Sequence, residues 1–233
     1  MVHYFDIDGL NNIRENGEPL SIVMKGPWLN GNIQETALIC RHWRQLFPKA
    51  EIIISVSSSD FIDFSKNTGE NVLPDITYAA FKIDTIRKEA LKTLFDSADI
   101  VIKAPDALPL PPIKNDTQSL NNVNLQIKST KSGLKHASRK YILCIRSDLC
   151  FTSKNFISVY KKHAYDARRN YTSFKQRILI SEIFTINPLT LYRMPFHYSD
   201  WFHFGLTEDI KISGMKYRKS VCAMEYIMKI TPS

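Results

Sequence analysis

The sequence contains no uninterrupted apolar run close to the roughly 20 residues that a membrane-spanning helix requires. Its first residues carry Asp6 and Asp8, where a secretory signal peptide would need basic and then apolar residues. No Cys-x-x-Cys pair and no zinc-finger spacing occurs, so we expect no structural metal site. These absences predict a protein of a reducing compartment, neither secreted nor integral to a membrane. The cysteines are Cys40, Cys144, Cys150 and Cys222.

The familiar short catalytic motifs are also missing. There is no Walker A motif, Gly-x-Gly-x-x-Gly, His-Glu-x-x-His or Gly-x-Ser-x-Gly, so the enzyme classes that these motifs mark lose their usual support. The composition is ordinary for a globular protein, with 233 residues, 44% hydrophobic and 23% charged, and predicts a single domain over residues 1–233. A net charge of +8 implies an anionic partner: nucleic acid, a phosphorylated small molecule or a membrane surface.

The hydrophobic pattern predicts an α/β fold. A buried strand at Leu20–Met24, a helix at Asn32–Phe47 and a second strand at Glu51–Val56 form a βαβ unit, which favours a mostly parallel sheet. The region from Leu189 onward is aromatic and irregular until a helix that begins near Thr207. The other predicted helices are Asp84–Phe95, Val123–Ala137 and Asn155–Ala167, and the other predicted strands are Ile100–Ile102, Tyr141–Ile145 and Arg177–Ile186.

Polar residues follow three of the predicted strands, and ligands of open α/β sheets bind outside the carboxyl ends of the strands. These ends are Lys25-Gly26-Pro27-Trp28, Ser55–Asp60 and Arg146-Ser147-Asp148. Asp148 could hold a divalent cation against a diphosphate, and Arg146 could grip phosphate oxygens. The alternative is an ion pair or turn cap at Asp148, which the spacing alone favours because structural ion pairs are common.

A second cluster runs from Pro195 to Gly205 and combines two histidines, an aspartate and several large aromatic residues. Aromatic faces with a few polar groups suit a sugar ring or a base. Here Asp200 is a candidate general base, and His197 or His203 a candidate metal or phosphate ligand. The alternative, a small aromatic core with satisfied histidines, is equally well supported. Thr207-Glu208-Asp209 is typical of a helix start, which explains Asp209 without any functional role.

Taken in order, several segments resemble the WavE family of lipopolysaccharide-synthesis proteins, and the resemblance spans roughly Ser21 to Tyr226. The block DWFHFGL is its most specific part. The segments are Gly26-Pro27-Trp28, RQLFP at 44–48, EIIIS at 51–55, SGLKHA at 132–137, YILCIRSDL at 141–149 and DWFHFGLTEDI at 200–210.

The resemblance implies a GT-A-like glycosyltransferase domain, with a nucleotide-sugar-binding half at about 20–150 and an acceptor-binding half at about 151–233. Such enzymes usually place an Asp-x-Asp motif after a central strand, where it binds a divalent cation, Mn²⁺ or Mg²⁺. Here Arg146 stands in the place of the first aspartate, leaving Asp148 as the metal ligand of the motif. The same resemblance makes the Gly26 loop and Ser55–Ser59 candidates for the nucleotide, and Asp200 or Asp209 candidates for the base. The acceptor residues and the order of the two bases are predicted from the aromatic cluster and from the helix start at Asp209. Donor-binding residues are Gly26, Pro27, Trp28, Ser55, Ser57, Arg146 and Asp148; acceptor-binding residues are His197, Trp201 and His203; the base is Asp200, then Asp209.

The resulting hypothesis is a cytoplasmic glycosyltransferase at the inner face of the inner membrane, in peripheral contact with anionic lipid. It would transfer a hexosyl-type sugar from a nucleotide-sugar donor to a glycan or lipid-linked acceptor of lipopolysaccharide or capsule. Two alternatives from other classes stay open. One is a basic nucleic-acid-binding protein, although we expect no nucleic-acid partner, and the other is a catalytically silent glycan-binding relative.

Overall fold

The computed structural model describes residues 19–27, 33–57, 85–105, 107–108, 122–166, 173–183, 185 and 199–216. Strands and helices alternate along most of this length. The strands are β1 (Leu20–Lys25), β2 (Glu51–Ser57), β3 (Ile100–Ala104), β4 (Tyr141–Arg146), β5 (Leu179–Ile180) and β6 (Phe202–Leu206). The helices are α1 (Ile33–Leu46), α2 (Thr85–Ser97), α3 (Val123–His136), α4 (Asn155–His163) and α5 (Thr207–Lys216).

These strands form one mixed sheet in the order β3-β2-β1-β4-β6-β5. Strands β1 to β4 are mutually parallel, β6 is antiparallel to β4, and β5 is antiparallel to β6. The prediction of an α/β fold with a mostly parallel central sheet and flanking helices is therefore confirmed. All four parallel strands end at one edge of the sheet, and the antiparallel β6 begins at that same edge because Phe202 pairs with Ile145.

Helices cover both faces of the sheet, which explains why its central strands are continuously apolar rather than alternating. Along β1, Ile22 and Met24 point to one face and Val23 to the other, and all three are fully buried. The first face packs against α1, α2 and α4 and holds the larger core, with Trp43 of α1 near its centre. The second face packs against α3 and α5, which contribute Leu134 and Ile210.

Close packing of α3 on the sheet depends on Gly133. A Cβ atom at this position would lie 2.5 Å from Val23 Cγ1 and 3.2 Å from Ser55 Cβ. Real Cβ atoms do not approach other carbons to the shorter of these distances, so a glycine is required for α3 to lie this near to β1 and β2. Helix α3, which borders the candidate site, therefore lies at a short, fixed distance from the sheet.

Two predictions made from the sequence are wrong in this part of the chain. The strand predicted at Arg177–Ile186 shrinks to Leu179–Ile180 among the described residues, because the chain turns at Ser181. The Ser181 hydroxyl accepts the Ile183 N–H at 3.2 Å, and the Ser181 carbonyl accepts the Thr185 hydroxyl at 2.6 Å. Conversely, residues 202–206, predicted to be irregular, form β6, because their aromatic side chains alternate with His203 and Gly205 and pair with β4.

The division into two halves at about residue 150 is not tested by this architecture and stays a prediction. Within the part of the chain that the structure describes, no helix is long and apolar enough to cross a membrane. Trp28 and His197, both predicted site residues, lie outside the described residues, as does the side chain of Ser57.

Candidate functional site

A row of polar residues crosses the carboxyl edge of the sheet on the face that α3 covers. In the strand register, Lys25 lies between Ser55 of β2 and Arg146 of β4. Two residues earlier in each strand, the same face is apolar, with Val23, Ile53 and Cys144 in the core. Because strand side chains alternate between faces, the change from apolar to polar residues marks the place where this face leaves the core.

Arg146 and Asp148 form a bidentate ion pair at the end of β4. Arg146 Nε donates to Asp148 Oδ1 at 2.9 Å, and Arg146 Nη2 donates to Asp148 Oδ2. These hydrogen bonds lower the pKa of the Asp148 carboxyl and raise that of the guanidinium, against an opposing effect of partial burial. The sequence alternative of an ion pair at Asp148 is therefore what the structure contains, and both carboxylate oxygens face the arginine.

The loop that carries Asp148 is tied to the opposite face of the sheet. Trp43 Nε1 of α1 donates to the Leu149 carbonyl at 3.3 Å, and a ring nitrogen of His42 lies 2.7 Å from the Phe151 carbonyl. The Ser147 N–H donates to the Lys25 carbonyl at 2.9 Å, so the loop also follows β1. These contacts hold the loop, and with it the Arg146–Asp148 pair, in a fixed position relative to Lys25.

Lys25 was not among the residues singled out from the sequence, although it begins one of the three polar strand ends. It ends β1 and is 5% exposed. Its positive charge contributes to the lowered pKa values of Asp148 and His203. No described residue accepts a hydrogen bond from Lys25 Nζ or forms an ion pair with it. The signal that could have identified Lys25 is its place at the end of a buried strand, two residues after Val23 and therefore on the same face of the sheet.

Gly26 follows Lys25 with φ of 120°, a conformation that favours glycine. Its N–H is shared between the Ser55 carbonyl at 3.3 Å and Ser129 Oγ at 3.2 Å. Ser129 Oγ of α3 donates to the Ser55 carbonyl, and Ser55 Oγ donates to the Ser129 carbonyl at 2.8 Å. Ser55 therefore joins α3 to β2, while Pro27 accepts a hydrogen bond from Ser147 Oγ through its carbonyl.

Asp200 lies just before β6, on the α3 side of the site. Its Oδ2 accepts a hydrogen bond from Gln126 Nε2 of α3 at 2.9 Å, which orients the carboxylate. The neighbouring Trp201 is partly buried, and its carbonyl accepts the Arg146 N–H at 3.1 Å. Sequence analysis did not identify Gln126, because a glutamine on a polar helix face carries no signal of its own.

His203 of β6 completes the cluster. Burial, reinforced by the charge of Lys25, lowers the pKa of His203 to about 4, while the charge of Asp200 opposes the shift. The imidazole is consequently neutral at pH 7, with one ring nitrogen that donates and one that accepts a hydrogen bond, and it brings no positive charge to the site. The structure thus brings Gly26, Arg146, Asp148, Asp200 and His203 together from the predicted set.

Asp209 is not brought to this cluster. It lies in the first turn of α5, after β6, whereas Asp200 lies before β6, so the length of that strand separates them. Asp209 is 1% exposed, and its two oxygens accept the backbone N–H groups of Lys175 and Gln176, each at 2.9 Å. These contacts assign it to holding residues 173–178 against α5.

The described residues do not fit a divalent cation held by protein ligands. No group of three or more His, Cys, Asp and Glu residues among them could hold a metal ion. Asp148, the predicted metal ligand, has both oxygens engaged by Arg146, and Asp200 is bonded to Gln126. Dependence on Mn²⁺ or Mg²⁺ stays a prediction.

The structure is that of an α/β protein with a cluster of charged and polar groups, the candidate site, at the carboxyl ends of its parallel strands. The chain belongs to the WavE family, because the family model described as WavE lipopolysaccharide synthesis matches residues 80–213, more than half of the sequence. The matched region contains Gln126, Arg146, Asp148, Asp200 and His203. The family resemblance predicted from the sequence is confirmed.

Two further comparisons add little to this assignment. No curated protein matches the chain. Among solved structures, 4-diphosphocytidyl-2C-methyl-D-erythritol synthase from Anaerococcus prevotii DSM 20548 is similar with a TM-score of 0.38 and 14% sequence identity, over 91% of this chain and 79% of that one. A similarity of this size carries no weight for ligand or reaction.

Proposed function

We propose that the protein is a glycosyltransferase of lipopolysaccharide synthesis that uses a nucleotide-sugar donor. The observation that carries this proposal is the cluster at the carboxyl edge. Lys25 is paired there with Arg146 in the strand register, Gln126 binds the carboxylate of Asp200, and the charge of Asp200 acts on Arg146. Membership of a lipopolysaccharide-synthesis family supports the substrate class. A GT-A-like domain, a glycan or lipid-linked acceptor and a place at the inner face of the inner membrane are parts of the same proposal.

The reaction follows from these residues. The acceptor hydroxyl attacks the anomeric carbon, the new C–O bond forms as the bond to the donor diphosphate breaks, and Asp200 takes the hydroxyl proton. Gln126 orients the carboxylate of Asp200 through its hydrogen bond to Oδ2. Lys25 stabilises the negative charge that develops on the leaving diphosphate. Arg146, whose charge Asp148 balances, is proposed to donate a hydrogen bond to a phosphate oxygen from an N–H group that Asp148 does not use.

The remaining predicted roles are assigned by position. Gly26 and Pro27 lie beside Lys25 and are proposed to border the donor, together with Trp28. Trp201 and His203 belong to the aromatic segment near Asp200 and are proposed to contact the acceptor with His197. Because His203 is neutral at pH 7, its proposed role is a hydrogen bond to a sugar hydroxyl rather than charge stabilisation.

Binding of the donor is the first test. Nucleoside diphosphates and their sugar conjugates should raise the melting temperature, since a ligand at 100 times its Kd stabilises a protein by about 2.7 kcal/mol. Stabilisation by none of the common nucleoside diphosphates would contradict the proposal. Strong, salt-dependent stabilisation by DNA or RNA would instead support the nucleic-acid-binding alternative.

The second test separates an enzyme from a catalytically silent relative. Asp200→Asn keeps the shape of the side chain but cannot take a proton, so sugar transfer or hydrolysis should fall by roughly 10²–10⁴-fold while donor binding is retained. Asp96→Asn, at an exposed position of α2, is the matched control and should leave turnover unchanged. Equal turnover in Asp200→Asn and the parent would exclude Asp200 as the base.

A further inference from the structure

We propose that Lys25 neutralises the donor diphosphate in the place that a divalent cation takes in related chemistry, so that donor binding needs no metal. This inference rests on the proposed function and names the residue that binds the diphosphate. The feature that carries it is a buried lysine whose ammonium has no hydrogen-bond or ion-pair partner among the described residues.

The burial of Lys25 is the first step. The side chain of Lys25 is largely buried, but its Nζ is not among the buried polar atoms that lack a partner, so the ammonium keeps some contact with solvent at the sheet edge. A charge in such a partly desolvated place is costly unless an opposite charge or hydrogen bonds compensate. Lys25 is 5% exposed, and the register places it between Ser55 and Arg146 in the centre of the sheet edge. Ser55 uses its hydroxyl to bind the Ser129 carbonyl, so it does not supply the missing partner. An anionic ligand at this edge would supply it.

The charges around Lys25 are the second step. Arg146 and Asp148 neutralise each other through two hydrogen bonds, and His203 is neutral at pH 7. The charge of Asp200 also acts on Arg146 and His203, but its carboxylate is bonded to Gln126 rather than to Lys25. Lys25 therefore holds the positive charge of the described cluster that is not already paired.

The engagement of Asp148 is the third step. A divalent cation at Asp148 would have to displace a guanidinium that binds both carboxylate oxygens. The lysine ammonium is a compact point charge with three hydrogen-bond donors, which is what a phosphate group requires. With Arg146 retained by Asp148, Lys25 is the group able to take up the diphosphate charge without breaking an existing pair.

The test compares the binding of nucleoside diphosphates by calorimetry in excess EDTA and in excess Mn²⁺. For the parent chain we expect the same affinity, within twofold, under both conditions. This measurement needs no variant, so it remains decisive even if a substitution at Lys25 prevents folding. A requirement for Mn²⁺ would overturn the inference and leave the proposed function standing.

A variant then tests the residue. Lys25→Met keeps the length and the apolar stem but removes the charge, and we expect at least a tenfold loss of affinity for the nucleoside diphosphate. The loss should be smaller for the corresponding monophosphate, a difference that a merely structural role would not produce. Lys103→Met, an exposed lysine on the neighbouring β3, is the control and should bind like the parent.

The outcomes separate the two proposals. If the parent chain binds no nucleoside diphosphate in either buffer, the proposed function fails. If it binds the diphosphate but Lys25→Met, folded by its melting temperature, binds it equally well, the function survives and the role of Lys25 is refuted. Loss of diphosphate binding in Lys25→Met alone, independent of Mn²⁺, supports both.

Discussion

The buried carboxylate of Asp209 allows a sharp test of what this residue does. Asp209→Asn replaces a group that accepts two backbone N–H groups, those of Lys175 and Gln176, each at 2.9 Å. The amide retains one accepting oxygen and turns an NH₂ group toward the other N–H. One hydrogen bond to a charged group is therefore lost, and a buried donor is left without a partner.

The magnitude follows from these two effects. A hydrogen bond to a charged group contributes about 1.5–3 kcal/mol, and an unsatisfied buried donor costs about 1–3 kcal/mol, with overlap between the two figures. Loss of the favourable interaction of a charge with the first turn of α5 adds roughly 0.3–1 kcal/mol. We expect Asp209→Asn to lower the free energy of unfolding by about 2–4 kcal/mol.

The assay is urea denaturation followed by circular dichroism, with Glu208→Gln as the matched control. Glu208 is the preceding residue of the same helical turn, and its carboxylate pairs with Lys175 at 2.7 Å on the surface. Its amide variant should unfold close to the midpoint of the parent, because exposed ion pairs contribute little. If Asp209→Asn instead unfolds like the parent but loses sugar transfer, the structural reasoning is refuted and Asp209 replaces Asp200 as the base.

Two further predictions concern the packing and the pH dependence of the same sheet. Gly133→Ala should destabilise the fold by about 1–3 kcal/mol, because the added Cβ would lie 2.5 Å from Val23 Cγ1. Gly205→Ala is the control and should be tolerated, because its nearest contact would be at 3.6 Å. Thermal unfolding of both variants measures the difference. His203 has its folded pKa lowered from 6.5 to about 4, so the unfolded chain binds the additional proton in that window. Stability should therefore fall as pH decreases from 6.5 to 4, by up to about 3 kcal/mol from this residue. Urea midpoints across this range should depend less on pH in His203→Asn, and an identical profile would contradict the lowered pKa of the partly buried His203.

The sequence by itself was sufficient for the central architecture. Strands β1, β2 and β4 contain the uninterrupted apolar runs Ile22–Met24, Ile52–Ile54 and Tyr141–Ile145, which are typical of parallel strands that helices cover on both faces. The polar residues that end each run predicted where the site would lie, because the carboxyl ends of parallel strands share one edge. These are properties of neighbours along the chain, so local patterning reveals them.

Strand β6 and the short β5 needed the tertiary structure. The residues of β6 do alternate, but they stand among other aromatic residues, and only pairing with β4 distinguishes a strand from an irregular aromatic segment. The turn at Ser181 shows the converse, since hydrogen bonds within residues 181–185 end a stretch whose composition favours a longer strand. Strand propensity is a weak guide at the margin of a sheet, where packing decides.

The contacts of individual residues in the candidate site depend on tertiary structure alone. Asp200 and Gln126 are 74 residues apart in the sequence, and no local pattern connects a carboxylate before β6 with an amide on α3. Lys25 resembles any lysine that ends a strand until the strand order places it beside Arg146, whose own charge is taken by Asp148. The periodicity of a segment depends on its near neighbours, whereas the pairing of charges depends on which distant segments the fold brings side by side.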